Sequence, residues 1–210
     1  MTPSFFEPDR YIEVFQRDRC PLCFLVHDYS QGYIRNLLEE SVTDSLTRKQ
    51  LLDSHGFCRR HAWQAVNTGQ SLGMAVFYSH LLRKGLQDVA APSVFKKKKS
   101  ICPVCAAENS IEDVQAKQFT ACWTQSEPLR QAFQDRGVLC LSHLEKIASR
   151  MKPASQLRTL LESAQKALEP LLKDLNEFLE KQDYHRSKEA MGEEWDSWIR
   201  AVRMVSGERE

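Results

Sequence analysis

Eight residues stand in a pattern suited to metal coordination. CPLC at 20–23 and CPVC at 102–105 are C-x2-C pairs, and Cys58 with His61 and Cys140 with His143 are C-x2-H pairs. Thiolate sulfur and imidazole nitrogen are the donors that Zn²⁺ takes in tetrahedral sites. A C-x2-C turn presents two sulfurs to one ion, and C-x2-H does the same from the first turn of a helix, where i and i+3 share a face. Three thiolates and one neutral imidazole fill all four positions. No place is left for water or substrate, which marks a structural site. Cys20, Cys23, Cys58 and His61 are expected to hold one Zn²⁺, and Cys102, Cys105, Cys140 and His143 a second. The alternative pairing brings Cys20 and Cys23 to Cys140 and His143, across the molecule or across a dimer. The alternative cofactor is an iron–sulfur cluster, since iron accepts the same ligands.

An internal repeat organises these residues. All four ligand positions keep one offset of 82 residues, and so do Pro21 and Pro103. Weaker matches fill the space between: Arg48 with Arg130, Asp53 with Asp135, Tyr78 with Leu160, Leu86 with Leu168 and Val89 with Leu171. The repeat therefore spans roughly 20–90 and 102–172. The prolines stiffen each C-x2-C turn and favour a helix start just after it, and helix N-termini offer free N–H groups to thiolate sulfur.

The elements between the pairs read as helices. Leu25, Val26, Tyr33, Leu37 and Leu38 share a face after CPLC. A shorter helix over 45–54 stops at Gly56, another opens at CRRH, and Ser71 can cap a fourth. The second half repeats the order over 104–123, 127–136, 140–151 and 154 onward, and no run alternates as a strand does. The fold class expected is all-α: two tandem metal-stabilised helical repeats (1–90 and 101–180) plus a C-terminal helical extension. Residues 91–100, with Lys96 to Lys99, read as a solvated linker. Leu157, Leu161, Ala164, Leu168, Leu171, Leu175 and Phe178 form a heptad-like stripe that faces a core, with a coiled-coil seam as the rival. Pro170 inside it should kink or break the helix. The stretch after 180 is polar and reads as a linker. Within 190–206, Trp195, Trp198, Ile199 and Val202 form an apolar face that needs a cover. The chain's own body is the first expectation and a partner the second.

Residues outside the repeated frame receive ordinary readings. Cys122 is expected to be a buried free thiol, and His27, His55 and His80 surface or core histidines. Asp53 and Asp135 could support a ligating histidine, but capping or solvation is the plainer account.

The segments CPLC, HGFCRRHAW, CPVC and LCLSHL resemble a bacterial family of unknown function marked by a CPxC…GFCxxH frame, often repeated within one chain. The resemblance covers about 20–172 and implies paired metal sites without implying an activity. In the second half GFC becomes VLC and Gly137 sits one position earlier, so the turn before Cys140 should differ.

Composition narrows function. The 210 residues are 42% hydrophobic and 27% charged with a net charge of +1, a balance that disfavours a dedicated nucleic-acid binder. The start lacks a basic region followed by an apolar stretch, and no run approaches the roughly 18 apolar residues of a membrane span. A cytoplasmic location without membrane contact is expected, where seven cysteines serve metal or redox chemistry more often than disulfides. The reading is a zinc-binding helical adaptor or regulatory protein, whose partner is another protein or a second copy of itself. The alternatives are an iron–sulfur or thiol redox protein and a nucleic-acid module using Lys96–Lys99, Arg59 and Arg60. No G-x-S-x-G, H-E-x-x-H or P-loop pattern occurs, and an enzyme is disfavoured.

Overall fold

Prolines and short polar caps set where the helices begin. Pro8 opens α1 (Pro8–Phe15), Pro21 opens α2 (Pro21–Glu39) and Pro103 opens α6 (Pro103–Gln125). Asp44 accepts the Thr47 N–H at 2.8 Å to cap α3 (Ser45–Asp53). Ser126 accepts the Leu129 N–H at 3.2 Å to cap α7 (Glu127–Arg136). Cys58 and Cys140 hold the N-cap positions of α4 (Arg59–Asn67) and α8 (Leu141–Ala148). The remaining helices are α5 (Ser71–Val89), α9 (Ala154–Lys181) and α10 (Ser197–Ser206), the last preceded by a 3-10 turn at Glu193–Asp196. The computed structural model describes residues 7–40, 44–89, 100–152, 154–186 and 188–208. Among the described residues the protein is all-α, with ten α-helices and no strand. No helix there is long and apolar enough to cross a membrane. The lysine run 96–99 lies outside the described residues.

The chain forms two compact units that do not coincide with the two repeats. One comprises Met1–Leu25 with Glu112–Glu210, and the other Val26–Ile111. The divisions fall inside α2 and α6, so each repeat contributes the start of its first helix to the unit built mainly from the other. Helix length explains this. The 19 residues of α2 carry the chain about 28 Å, and the nine residues of α3 recover only about 13 Å.

The first unit is built on aromatic residues. Trp123, Phe119, Phe133 and Phe15 are buried with Leu22, Leu129, Ile147 and Leu160. Trp123 meets Phe133 edge to face at 5.4 Å, and Tyr11 meets Phe119 at 5.1 Å. Helix α1, which the sequence pattern did not suggest, supplies Tyr11 and Phe15, and the Tyr11 hydroxyl donates to Gln115 at 3.1 Å. Cys122 is a buried thiol in this core, as expected. The second unit is leaner: Ile34, Leu37, Leu38, Leu51, Phe57, Ala65, Phe77 and Val104 surround Cys102.

Several expectations change. Helix α9 runs through Pro170 to Lys181 without interruption. Its stripe faces the core only at the start: Ala164 is buried and Leu157 packs on the core, Leu161 is exposed, and Leu168, Leu171, Leu175 and Phe178 are half-buried. Ser71 is the first residue of α5 instead of its cap. The polar stretch after 180 is pinned by Arg186, which pairs with Glu177, Glu180 and Glu189. Lys181 meets Glu194 at 2.7 Å. On the C-terminal helix Ser197 and Met204 are buried, whereas Trp198 and Val202, with Trp195 of the preceding 3-10 turn, stay exposed. The tryptophan face is therefore not packed on the described body of the chain. Amphipathicity explains the choice: Met204 and Ala201 lie beside Leu168, Leu171 and Leu175, and the tryptophans project from the remaining arc.

The second unit depends on one close helix approach. A Cβ at Gly73 would stand 2.2 Å from the Leu38 carbonyl oxygen. Gly73→Ala should therefore destabilise the protein, although the same change in a free helix interior stabilises by about 1 kcal/mol. A denaturant titration reads the sign directly.

Candidate metal centres

The ligand pairs close crosswise. Cys20, Cys23, Cys140 and His143 form one cluster and Cys58, His61, Cys102 and Cys105 the other, with the ligand atoms of each set within 4.8 Å of one another. The expectation that each repeat closes on itself is corrected: C-x2-C from one repeat meets C-x2-H from the other. Between its two pairs, the first cluster joins residues 117 to 123 apart in sequence and the second residues 41 to 47 apart. Each cluster lies within a single compact unit.

In both cases two helix starts converge. Cys20 and Cys23 sit at the head of α2 facing Cys140 and His143 at the head of α8. Cys102 and Cys105 open α6 facing Cys58 and His61 of α4. The turns that deliver the C-x2-H pairs differ, as the displaced glycine implied. His55 and Gly56 adopt φ of 57° and 86°, and the Gly56 N–H closes α3 on the Leu51 carbonyl at 2.7 Å. Gly137 is extended, with φ −71° and ψ 128°, and is required there because a Cβ would lie 2.4 Å from the Phe133 carbonyl oxygen.

The distances fit one tetrahedral ion per cluster. A tetrahedron with metal–sulfur bonds of about 2.3 Å and metal–nitrogen bonds of about 2.05 Å has S–S edges near 3.8 Å and N–S edges near 3.5 Å. The Cys23–Cys140 and Cys58–Cys105 sulfurs are both 3.7 Å apart. The His143 Nδ1 stands 3.4, 3.4 and 3.2 Å from Cys20, Cys23 and Cys140, and the His61 Nδ1 stands 3.4 to 3.5 Å from its three sulfurs. These separations are far longer than a disulfide, and all seven cysteines are free thiols.

Such crowding forces the protons apart. Burial pushes the Cys20 thiol well up, while sulfur hydrogen bonds from Cys20 and Cys23 pull Cys140 far down. At the other cluster burial opposes ionisation of Cys102, but His61 and the N–H groups of Cys105, Cys58 and Val104 hold it at about 6. Cys105 is pushed up to about 12 by burial and its charged neighbours. Burial lowers both histidines, yet Cys102 together with Glu108 raises His61 to about 9, and Cys140 with Cys23 raises His143 to about 10. A bound cation would satisfy the same lone pairs at once.

Two glutamates that the repeat did not flag stand behind the histidines. Glu108 lies 3.0 Å from His61 Nε2 and Glu112 lies 3.2 Å from His143 Nε2, as close charge contacts instead of straight hydrogen bonds. They favour the tautomer with its proton on Nε2, leaving Nδ1 to face the sulfurs. Each carboxylate is held by a cation from the helix bearing the histidine: Arg60 pairs with Glu108, and Lys146 with Glu112 at 3.0 Å. Both glutamates lie on α6, three and seven residues after Cys105 on the same face. Comparison of the halves hid them, because their first-half counterparts are Val26 and Ser30. Asp53 and Asp135 do not serve this role; Asp53 pairs with Lys49 at 2.8 Å and Asp135 accepts from Gln131. Arg60 is turned to Glu108, and His80 bonds the Val76 carbonyl through Nδ1. The C-terminal segment closes the α2/α8 centre. Glu208 accepts the Cys20 N–H at 2.8 Å and pairs with Arg19, and a Cβ at Gly207 would lie 3.4 Å from the Cys23 sulfur.

Comparison with known proteins agrees with this duplicated frame. The model of a family of unknown function, DUF6062, matches twice, over residues 11–99 and 87–210. The chain belongs to this family. It is also similar to a protein of Caldicellulosiruptor sp. (strain Rt8B.4) described as "Uncharacterized 23.9 kDa protein in xynA 3'region", 30% identical over 201 residues that cover 93% of this chain and 98% of that one. No solved structure matches. The expected resemblance to a bacterial CPxC…GFCxxH family thus holds, and this DUF6062 chain carries two Cys3His clusters able to hold metal ions.

Replacing Glu108 by Gln should weaken metal binding at the α4/α6 centre by about 10- to 100-fold and leave the α2/α8 centre unchanged. Competition against a chromophoric chelator, with two resolved binding steps, measures it.

Proposed function

We propose that this chain is a zinc-stabilised helical interaction protein, with one structural Zn²⁺ in each centre. The observation that carries the reading is the tetrahedral spacing of three sulfurs and one imidazole nitrogen, met twice. Edges of 3.7 Å favour a single ion over a cluster, in which thiolates bind separate irons and stand further apart. Four protein ligands leave no open position, which supports a structural role over a catalytic one. Each ion would contribute on the order of 10 kcal/mol to folding, and the lean unit around Phe57 and Phe77 would depend on it more than the aromatic one.

The working surface in this reading is the exposed face of Trp195, Trp198 and Val202, with half-buried Ile199 at its edge. Two adjacent exposed tryptophans are the kind of residue that anchors protein interfaces, and the occupant proposed is another protein. The inward pairing of Arg60 supports this class over nucleic-acid binding.

Protein purified without a histidine tag under anaerobic conditions should contain two zinc per chain and show no visible colour. Iron with sulfide and brown absorption would replace this reading with electron transfer or cluster delivery, and free thiols without metal would revive thiol redox chemistry. Cys58→Ser should reduce zinc to one per chain and loosen Val26–Ile111, lowering its amide protection from hydrogen exchange. Unchanged metal content and melting would overturn the assignment.

A further inference from the structure

Helix α5 carries an apolar strip that the metal centres do not explain. Leu72, Leu82, Leu86 and Val89 are 78, 68, 75 and 66% exposed, with exposed Ala75 and half-buried Ser79 between them. The positions 72, 75, 79, 82, 86 and 89 step by three and four, the spacing by which one helix seats another. A contiguous exposed strip of this kind marks an interaction surface.

The second half shows that the C-terminal end of this face can carry a helix. Gly85, Leu86 and Val89 correspond, 82 residues later, to Ala167, Leu168 and Leu171 of α9. Those residues are half-buried beside Met204 of α10, so in the second half a helix lies along this end of the face. On α5 no described residue does so, and a Cβ at Gly85 would meet nothing within 4 Å.

We propose that the cover is α5 of a second copy of this chain, packed antiparallel about a two-fold axis. Antiparallel pairing centred between Ser79 and Leu82 sets Ala75 against Leu86, Ser79 against Leu82 and Leu72 against Val89. Small residues then meet leucines at four of the six levels, whereas parallel pairing would stack leucine on leucine and leave gaps at Ala75 and Ser79. The Ser79 hydroxyl donates to its own Val76 carbonyl at 2.8 Å, so covering it strands no polar group. Four large side chains this exposed offer roughly 500 Å² per copy, and with their flanks they reach the ~1,000 Å² in total that a specific interface needs. A two-fold contact of identical strips closes on itself and stops at the dimer. This inference does not rest on the identity of the ion.

The test is sedimentation of the full, metal-replete chain from low to high micromolar concentration. Wild type should be a dimer at high concentration, and Leu82→Glu/Leu86→Glu a monomer that keeps both metals. Should that variant lose metal, Leu86→Ala decides: it should weaken dimerisation by about tenfold, roughly 1.4 kcal/mol, at unchanged metal content. A wild-type monomer throughout, as when residues 90–99 or another protein cover the strip, overturns the proposal. So does a dimer that survives these changes and is broken by Trp198→Ser. Leu72→Cys/Val89→Cys should cross-link between copies; cross-linking of Leu72→Cys alone would overturn the antiparallel arrangement.

Discussion

The structure turns on the electrostatics of placing three sulfurs and one imidazole nitrogen within 4.8 Å of one another, twice. Buried thiolates at that spacing repel and lose their hydration, so the arrangement requires shared protons or a central cation. The surrounding structure supplies smaller compensations. Helix N-termini direct N–H groups at the sulfurs, and glutamates behind the histidines free Nδ1 for the ligand set. Arg60 and Lys146 in turn balance those glutamates. Each of these groups is placed by a helix whose own start is one of the ligand pairs.

Crosswise closure follows from the same helices. Because α2 and α6 are long, a C-x2-C pair at the head of either is carried away from the C-x2-H pair that follows it in its own repeat. The pairs therefore meet their counterparts from the other repeat. Closing the loop from Cys23 to Cys140 costs more chain entropy than closing that from His61 to Cys102, but only by about 1 kcal/mol, since the cost grows with the logarithm of length. The aromatic core of α1, α6, α7 and α9 accompanies the longer closure, so apolar burial and the C-terminal contact of Glu208 both add to it.

The two units have diverged around this common frame. One carries the helix α10, which shields part of α9 and, with the 3-10 turn before it, presents two tryptophans outward. The other leaves one face of α5 bare. Such bare strips are costly in water unless something is bound there.

The sequence alone determined the eight Cys and His residues that gather in the two clusters, the all-α class, the duplication and nearly every helix from 20 onward. Cys/His spacing, proline starts and 3.6-residue periodicity are local properties, legible without a fold. It missed α1, whose apolar residues matter only through their contact with Phe119 and Phe133. It expected closure within each repeat, because sequence proximity says nothing about the direction in which a rigid helix carries the chain. It passed over Glu108 and Glu112, because repeat symmetry was the filter and these carboxylates break it. Only the tertiary structure decided which pairs meet, which carboxylate stands behind which histidine and which apolar faces remain uncovered, since each depends on residues brought together from distant parts of the chain.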